Sequence, residues 1–144
     1  SKDRLAKLKV GDKVNIGETF GGELEEATTI IGAGPELVKN GVIHVTTSEE
    51  QVASDIARGR APRTAMGVTA DKHWVLLVID GRQSHSIGAT LQETGELLKK
   101  FGVVDGYNLD GGGSSAMYLK NRVVNKPSDG AERRVASAVV ITQK

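Results

Sequence analysis

The sequence of 144 residues predicts an α+β fold with a mostly antiparallel or mixed sheet and two main helices. Segments with strand character outnumber those with helical periodicity, and several neighbouring segments are joined by links of hairpin length. Two helices cannot supply the crossovers that a doubly wound sheet needs, so that architecture is excluded. Because the length is close to that of one domain, we expect residues 1–144 to form a single domain.

The strands are predicted from short apolar or β-branched segments bounded by glycine and other turn residues. Asn40-Gly41 is the strongest hairpin signal and joins residues 36–39 to residues 42–45. Residues 74–80, apolar on both faces, predict a central strand that pairs with the preceding strand around a short turn. The other predicted strands are 13–17 (weakly), 27–34, 64–69, 107–109, 116–119, 123–124 and 135–141.

The two helices are predicted from their N-terminal capping patterns. Ser48, with a glutamine three residues later, forms a capping box and predicts a helix to about Arg58. Thr90, with a glutamate three residues later, repeats the pattern before apolar residues at helical spacing. Gly102 is expected to end this second helix as its C-cap.

Composition excludes several classes of function. Nineteen basic and eighteen acidic residues leave a net charge of +1, and only 3% of residues are aromatic, so neither charge nor stacking favours nucleic acid as a partner. The chain has no cysteine, which excludes disulfides, thiolate metal centres and cysteine nucleophiles. The longest apolar run, residues 74–79, is too short to span a membrane.

The densest polar segment is residues 108–115, Asn-Leu-Asp-Gly-Gly-Gly-Ser-Ser. Three consecutive glycines allow backbone N–H groups to approach an anion such as phosphate closely. A flexible hairpin turn capped by Asp110 explains the same residues equally well. Neither the dinucleotide-binding nor the Walker glycine pattern is present.

Two further clusters carry polar side chains. Asp80-Gly81-Arg82 follows the apolar strand, where a surface ion pair in a turn is the simpler interpretation. Residues 125–134 combine a Pro-Ser-Asp-Gly turn with adjacent arginines that could clamp an anion. Arg63, directly before the predicted strand 64–69, is a further, isolated candidate for the site. Ser84, His85 and Ser86 do not indicate a serine hydrolase, because neighbouring residues rarely form a triad and the G-x-S-x-G elbow is absent.

A metal centre has little support in the sequence. The three histidines are far apart and lack the spacing of zinc ligands. A hard cation such as calcium, held by Asp110, Asn108 or Asp129 together with carbonyl groups, stays open at this stage. No other cofactor is predicted.

Taken in order, five segments resemble the phosphodiester glycosidase family: residues 63–67, 77–82, 86–93, 108–115 and 124–133. That family includes the animal enzyme that removes N-acetylglucosamine from its phosphodiester link to mannose 6-phosphate, and many exported bacterial proteins. The resemblance extends from about Ile30 to Ile141. The family's amino-terminal Asn-Gly-Gly-aromatic segment is not matched, since Phe20-Gly21-Gly22 has a different order. We therefore expect residues 1–144 to be the later portion of a catalytic domain. The N-terminal part of that domain, which this sequence does not contain, is then expected to be a partner of the chain.

The resemblance implies hydrolysis of the bond between sugar C1 and a phosphodiester oxygen, giving free sugar and a phosphomonoester. It implies Asp110 as the first choice of catalytic carboxylate and Asp80 as the second. The substrate would be a sugar-1-phosphodiester or phosphorylated glycan, handled outside the cytoplasm of a bacterium, in the cell envelope or in exopolysaccharide. The residues expected to bind it are Arg63, Arg82, Asn108, Gly111, Gly112, Gly113, Ser114, Ser115, Ser128, Asp129 and Arg133.

Two other functions are compatible with the same residues. One is a non-catalytic module of the cell envelope that binds carbohydrate or phosphoglycan without turnover. The other is a phosphodiesterase that cuts the P–O bond and releases sugar 1-phosphate. The identity of the released product separates these possibilities from the glycosidase.

Overall fold

The structure, a computed structural model, describes residues 7–15, 17, 22 and 26–142. The chain divides into two units, Ser1–Ile31 and Gly32–Lys144. In the described part of the first unit, a turn joins Lys9 to Asp12, whose carboxylate accepts the Lys9 N–H at 2.8 Å. The weakly predicted strand at residues 13–17 is not formed at residues 13–15 and 17. Residue 16 lies outside the described residues.

The second unit is built on one five-stranded antiparallel sheet. Its order is β2-β1-β5-β3-β4, and a separate hairpin joins β6 to β7. These elements confirm the predicted α+β class. The strands are β1 (Glu36–Lys39), β2 (Val42–Ile43), β3 (Arg63–Thr69), β4 (Trp74–Ile79), β5 (Val103–Asn108), β6 (Tyr118–Leu119) and β7 (Arg122–Val123). The helices are α1 (Ser54–Arg58) and α2 (Leu91–Lys100), with a 3₁₀ turn at Gly112–Ser114.

The β1–β2 and β3–β4 hairpins that the sequence predicted are both present. Asn40 and Gly41 have φ angles of 50° and 73°, the left-handed values that a type I′ turn needs, and join β1 to β2. The β3–β4 hairpin pairs Arg63 with Ile79 at one end and Val68 with Trp74 at the other. The predicted antiparallel pairing of β3 with β4 is confirmed.

The hydrophobic core lies between the sheet and helix α2. Its fully buried residues are Leu37, Val38, Ala65, Leu91, Leu98 and Val103. The capping box at the start of α2 is confirmed, because Thr90 accepts the Glu93 N–H and Glu93 accepts the Thr90 N–H. The helix ends at Lys100 with Phe101 as its C-cap. Gly102, which was predicted to be the C-cap, follows one residue later with a φ of 82°.

Truncation of Leu98 tests this core. Its side chain is fully buried (0% exposed), so Leu98→Ala is expected to lower the free energy of unfolding by about 2–5 kcal/mol. Urea denaturation measures the change. Leu119→Ala is the matched control, since Leu119 is 56% exposed on β6 and its loss should change stability by less than about 0.5 kcal/mol. Equal losses in the two variants would show that α2 does not cover the core.

The first predicted helix is wrong over its first half. Helix α1 begins only at Ser54, and residues 47–51 form turns. Gln51 has a φ of 53°, which an α-helix does not allow. The Glu50 carboxylate accepts hydrogen bonds from the Glu36 N–H and the Thr46 hydroxyl. These long-range contacts hold residues 46–50 against β1 and override the capping pattern.

Three strand predictions are also wrong. Residues 27–34 and 135–141 are not in strands, because β-branched composition gives a strand only where a neighbouring edge pairs with it. β4 was expected in the centre of the sheet, yet it forms one edge, with Trp74 64% exposed.

The boundaries of the shorter strands also shift. β5 begins at Val103, four residues earlier than predicted, since the turn-like pair Asp105-Gly106 lies inside the ladder, with Gly106 opposite Gly67. The strands predicted at residues 116–119 and 123–124 are β6 at residues 118–119 and β7 at residues 122–123. None of the helices in the described part of the chain has the length and apolar character needed to cross a membrane.

Candidate active site

The sheet topology brings the two predicted polar corners together. The first residue of β3, Arg63, pairs with the last residue of β4, Ile79, and Ala65 pairs with Asn108 at the end of β5. Because β3 lies between β4 and β5 and runs antiparallel to both, the segments that follow β4 and β5 emerge at the same end of the sheet. Residues 80–82 and 109–111 therefore flank the start of β3.

Charged side chains lie directly against the glycine run, residues 111–113. A Cβ atom built on Gly112 would lie 3.2 Å from Arg82 Nη1, and Gly112 has a φ of 61°, which favours glycine. A Cβ atom on Gly113 would overlap the Asp129 carboxylate and the Arg133 guanidinium. The run is therefore more than a loose turn, because the absence of side chains lets these groups contact the backbone.

Two backbone N–H groups of the run have no hydrogen-bond acceptor among the described residues. Gly112 N–H donates to the Pro62 carbonyl at 2.9 Å, and Ser114 N–H donates to the Gly111 carbonyl at 3.2 Å. The N–H groups of Gly111 and Gly113 make no hydrogen bond with any other described residue. Backbone N–H donors close to a guanidinium are the kind of groups that bind an anion.

Arg82 is held in an unfavourable backbone conformation with its side chain exposed. Its φ is 56°, a value that typically costs a residue other than glycine about 1–3 kcal/mol. Its guanidinium has no hydrogen-bond acceptor among the described residues. Strain of this kind is common where a side chain is positioned for binding, so Arg82 is the cation best placed to meet a ligand.

Arg63 is positioned very differently. It is 3% exposed and donates to three backbone carbonyls: Ala89 at 2.9 Å, Ile56 at 3.0 Å and Gly59 at 2.7 Å. Burial, and then the positive charge of Arg82, lowers the pKa of Arg63 below its ordinary value. The guanidinium remains charged, since arginine is not deprotonated in proteins. Arg63 therefore holds the loop before β3 in place and adds positive potential near the site.

The carboxylate of Asp80 is occupied by hydrogen bonds. It accepts from Asn125 Nδ2 at 3.0 Å, from the Lys126 N–H at 3.0 and 3.1 Å, and contacts His85 Nε2 at 3.1 Å. Burial alone would raise the pKa of Asp80, but the hydrogen bonds from Asn125, His85 and Lys126 hold it below the ordinary value. The carboxylate ties the end of β4 to residues 125–126.

This network predicts a pH-dependent stability. Because the pKa of Asp80 is lowered in the folded state, its ionised form stabilises the fold above its unfolded pKa of about 4. That stabilisation is lost as the pH falls through the lower folded-state value. Asp80→Asn is expected to lower the free energy of unfolding by about 2 kcal/mol at neutral pH. The difference from the wild type should narrow below about pH 4.

Urea denaturation between neutral and acidic pH measures this effect. Glu132→Gln is the control, because Glu132 is exposed and makes no hydrogen bond with the described residues. A stability difference for Asp80→Asn that stays constant across this pH range would contradict the assigned role of the ionised carboxylate.

Asp110 has the opposite character. It is exposed, and its carboxylate makes no hydrogen bond with the other described residues. It directly precedes the glycine run and follows Leu109, whose N–H donates to the Thr64 carbonyl at 2.8 Å. Of the two predicted catalytic carboxylates, Asp110 is therefore the one that is free to meet a ligand.

The remaining candidate residues differ in accessibility. Asn108 is 5% exposed, and its Nδ2 donates to the carbonyls of Gly34 at 3.1 Å and Leu109 at 2.7 Å. Its buried Oδ1 has no partner among the described residues. Ser115 is also buried and accepts a 3.0 Å hydrogen bond from the Thr64 hydroxyl. These contacts give Asn108 and Ser115 structural partners at the base of the site.

The two other serines are half-buried, and their surroundings differ. Ser114 contacts the run through its backbone N–H, and its hydroxyl makes no hydrogen bond with the other described residues. Ser128 Oγ lies 3.5 Å from Asp129 Oδ1. Both hydroxyls therefore lie closer to solvent than Ser115 does.

Asn125 is the residue that sequence reasoning missed. Its Nδ2 donates both to Asp80 and, at 2.9 Å, to the Ser115 carbonyl, while its Oδ1 accepts the Met117 N–H at 2.8 Å. One amide therefore fixes the corner after β4 to the segment that leaves the glycine run. The sequence signal was an asparagine next to Lys126-Pro127, which turn chemistry alone explained.

Candidate metal ligands do not cluster in the described residues. No three His, Asp or Glu side chains within that part of the chain converge as metal ligands would. The possibility of a hard cation at Asp110, Asn108 or Asp129 stays a prediction.

Comparison with known proteins assigns the family. The model of the family described as phosphodiester glycosidase matches residues 1–142. The chain therefore belongs to the phosphodiester glycosidase family, as its sequence motifs predicted. Three relatives named N-acetylglucosamine-1-phosphodiester alpha-N-acetylglucosaminidase are 32–34% identical to it over the aligned residues.

Individual relatives agree with this assignment. N-acetylglucosamine-1-phosphodiester alpha-N-acetylglucosaminidase of Bos taurus is 33% identical over 121 residues, covering 73% of this chain and 23% of its own. The zebrafish catalytic domain of the same name, auto-inhibited by its pro-peptide, is 25% identical with a TM-score of 0.59, covering 76% of this chain and 39% of its own.

A bacterial structure is also similar. The putative exported protein of Burkholderia pseudomallei K96243 is 45% identical with a TM-score of 0.50, covering 51% of this chain and 14% of its own. The chain spans between 13% and 23% of the length of the curated relatives that it matches.

Proposed function

We propose that this chain hydrolyses a sugar-1-phosphodiester at the bond between C1 and the phosphate oxygen, releasing free sugar and a phosphomonoester. The observation that carries the proposal is the placement of a free carboxylate, Asp110, directly before a glycine run that Arg82 contacts. Membership of the phosphodiester glycosidase family supports the same reaction class.

The anion side of the site suits a phosphate leaving group. The second pKa of a phosphomonoester is about 6, so the departing oxygen needs little help from a general acid. Stabilising the charge that develops on the phosphate contributes more to catalysis. The free N–H groups of Gly111 and Gly113 and the guanidinium of Arg82 would supply that stabilisation.

The carboxylates divide into two roles. Asp110 would face the anomeric carbon, either as the nucleophile or as the base that activates water. Asp80 would act as a positioning residue, because its oxygens already accept hydrogen bonds from Asn125 and Lys126.

The other candidate residues divide in a similar way. The polar groups of Arg63, Asn108 and Ser115 would support the site from below, since each is buried with protein partners. Ser114, Ser128 and the pair Asp129–Arg133 would border the substrate.

The names of the relatives support a substrate class for this proposal. The bovine and zebrafish enzymes are named for an N-acetylglucosamine-1-phosphodiester, and we extend that class to this chain as an N-acetylglucosamine-1-phospho-linked glycan. The similarity to a putative exported protein supports a site of action outside the cytoplasm.

The products released in heavy-oxygen water test the proposal. UDP-N-acetylglucosamine and a synthetic N-acetylglucosamine-1-phosphodiester are the substrates. The glycosidase predicts free N-acetylglucosamine with the heavy oxygen at C1. Sugar 1-phosphate with the label in its phosphate would instead establish cleavage of the P–O bond. Binding of both compounds without any product would favour a non-catalytic module.

A further inference from the structure

The charges that contact the glycine run do not balance. Arg82 lies against Gly112, and both members of the pair Asp129–Arg133 lie against Gly113. Arg133 donates to Asp129 Oδ2 from Nε at 3.0 Å and from Nη2 at 2.6 Å, so its charge is neutralised. Arg82 has no carboxylate partner among the described residues. The side chains against Gly112 and Gly113 are therefore two cations and one anion. The exposed Asp110 before the run and the buried Arg63 behind it add one charge of each sign, so the net charge of the site remains +1.

The proposed substrate and product differ in charge by about one unit. A phosphodiester has lost its one acidic proton at neutral pH and carries one negative charge. A phosphomonoester carries about −1.5 to −2 at pH 7. A site with one net positive charge is complementary to the diester, and a second negative charge on the ligand would meet the Asp129 carboxylate.

We propose that Asp129 is a specificity-determining residue that makes this site prefer a monoanionic phosphodiester over a dianionic phosphomonoester. This inference rests on the proposed function, because it gives the reason why the product would leave while the substrate binds. Asp129 neutralises Arg133 and places its own negative charge at the glycine run. The charges of Arg63 and Asp110 are common to the wild type and to every Asp129 variant, so they do not affect the comparison between them.

Binding of two matched probes tests the inference without any turnover. Phenyl phosphate is a monoester, and methyl phenyl phosphate is the corresponding diester; neither contains a glycosidic bond. Calorimetry at about pH 8, above the second pKa of a monoester of about 6, measures both dissociation constants. Asp129→Asn is expected to improve monoester affinity relative to diester affinity by about tenfold, the effect of one unit charge near a partly exposed site.

Three variants make the result specific. Asp129→Ser removes the same charge with a smaller side chain and should give the same shift. Asp129→Glu keeps the charge and should retain the wild-type ratio of the two affinities. Glu132→Gln removes a charge from an exposed neighbouring residue and should leave the ratio unchanged. Asp129 is 42% exposed, so the substitutions are compatible with folding.

The outcomes separate this inference from the function on which it rests. An unchanged ratio in Asp129→Asn and Asp129→Ser, with anions still bound and free sugar still released from the diester substrate, overturns the inference alone. A weaker relative affinity for the monoester overturns it as well. Failure of the wild type and all variants to bind either probe overturns both the inference and the proposed phosphate site.

Discussion

Asp110→Asn is expected to reduce turnover of a sugar-1-phosphodiester by a hundredfold to ten-thousandfold, the usual contribution of a positioned acid–base or nucleophilic carboxylate. The asparagine keeps the shape of the side chain but can neither attack the anomeric carbon nor accept a proton from water. Because Asp110 is exposed and makes no hydrogen bond with the described residues, the free energy of unfolding should change by less than about 0.5 kcal/mol. Release of free sugar and urea denaturation measure the two effects.

Asp71→Asn is the matched control for this prediction. Asp71 lies in the turn between β3 and β4, and the register of that hairpin places the turn at the opposite end of the sheet from Arg63 and Ile79. The same chemical change there should leave turnover unchanged. Normal turnover by Asp110→Asn would remove Asp110 from the mechanism and return attention to Asp80.

The parts of the fold that were predictable depend on contacts between residues close in sequence. The capping box of α2 joins Thr90 and Glu93, and the β1–β2 hairpin depends on Asn40-Gly41. The capping pattern at Ser48 failed because Glu50 is held by groups on and beside β1, fourteen residues away at Glu36. The apolar composition of β4 did not show that it lies at the edge of the sheet, because the position of a strand depends on which neighbours pair with it.

The same division applies to the site. The glycine run and its two flanking corners were recognisable because consecutive glycines are rarely needed for a turn alone. The difference between Arg63 and Arg82 could not be recognised from the sequence, because both are arginines next to strands. Burial and three carbonyl acceptors occupy the guanidinium of Arg63, whereas the side chain of Arg82 remains exposed. Such differences arise from tertiary contacts rather than from local sequence.

Arg82→Gly is expected to weaken binding of a phosphate anion by about tenfold to a hundredfold, because hydrogen bonds from a charged donor contribute about 1.5–3 kcal/mol. The same substitution removes backbone strain, since Arg82 has a φ of 56° and glycine adopts that value without steric cost. The free energy of unfolding should therefore stay equal to that of the wild type or rise by up to about 1 kcal/mol. Calorimetry with inorganic phosphate and urea denaturation measure the two quantities.

Arg82→Ala separates the side chain from the backbone in this prediction. Alanine also lacks the guanidinium but keeps a Cβ atom in the left-handed conformation, so it retains the strain that glycine removes. Equal losses of phosphate affinity in the two variants, with Arg82→Gly the more stable, would show that the affinity depends on the guanidinium. They would also show that the left-handed backbone at residue 82 lowers the stability of the fold. A loss confined to Arg82→Ala would assign the effect to backbone geometry. Unchanged affinity in both would show that the glycine run binds phosphate without Arg82, since both variants lack the guanidinium.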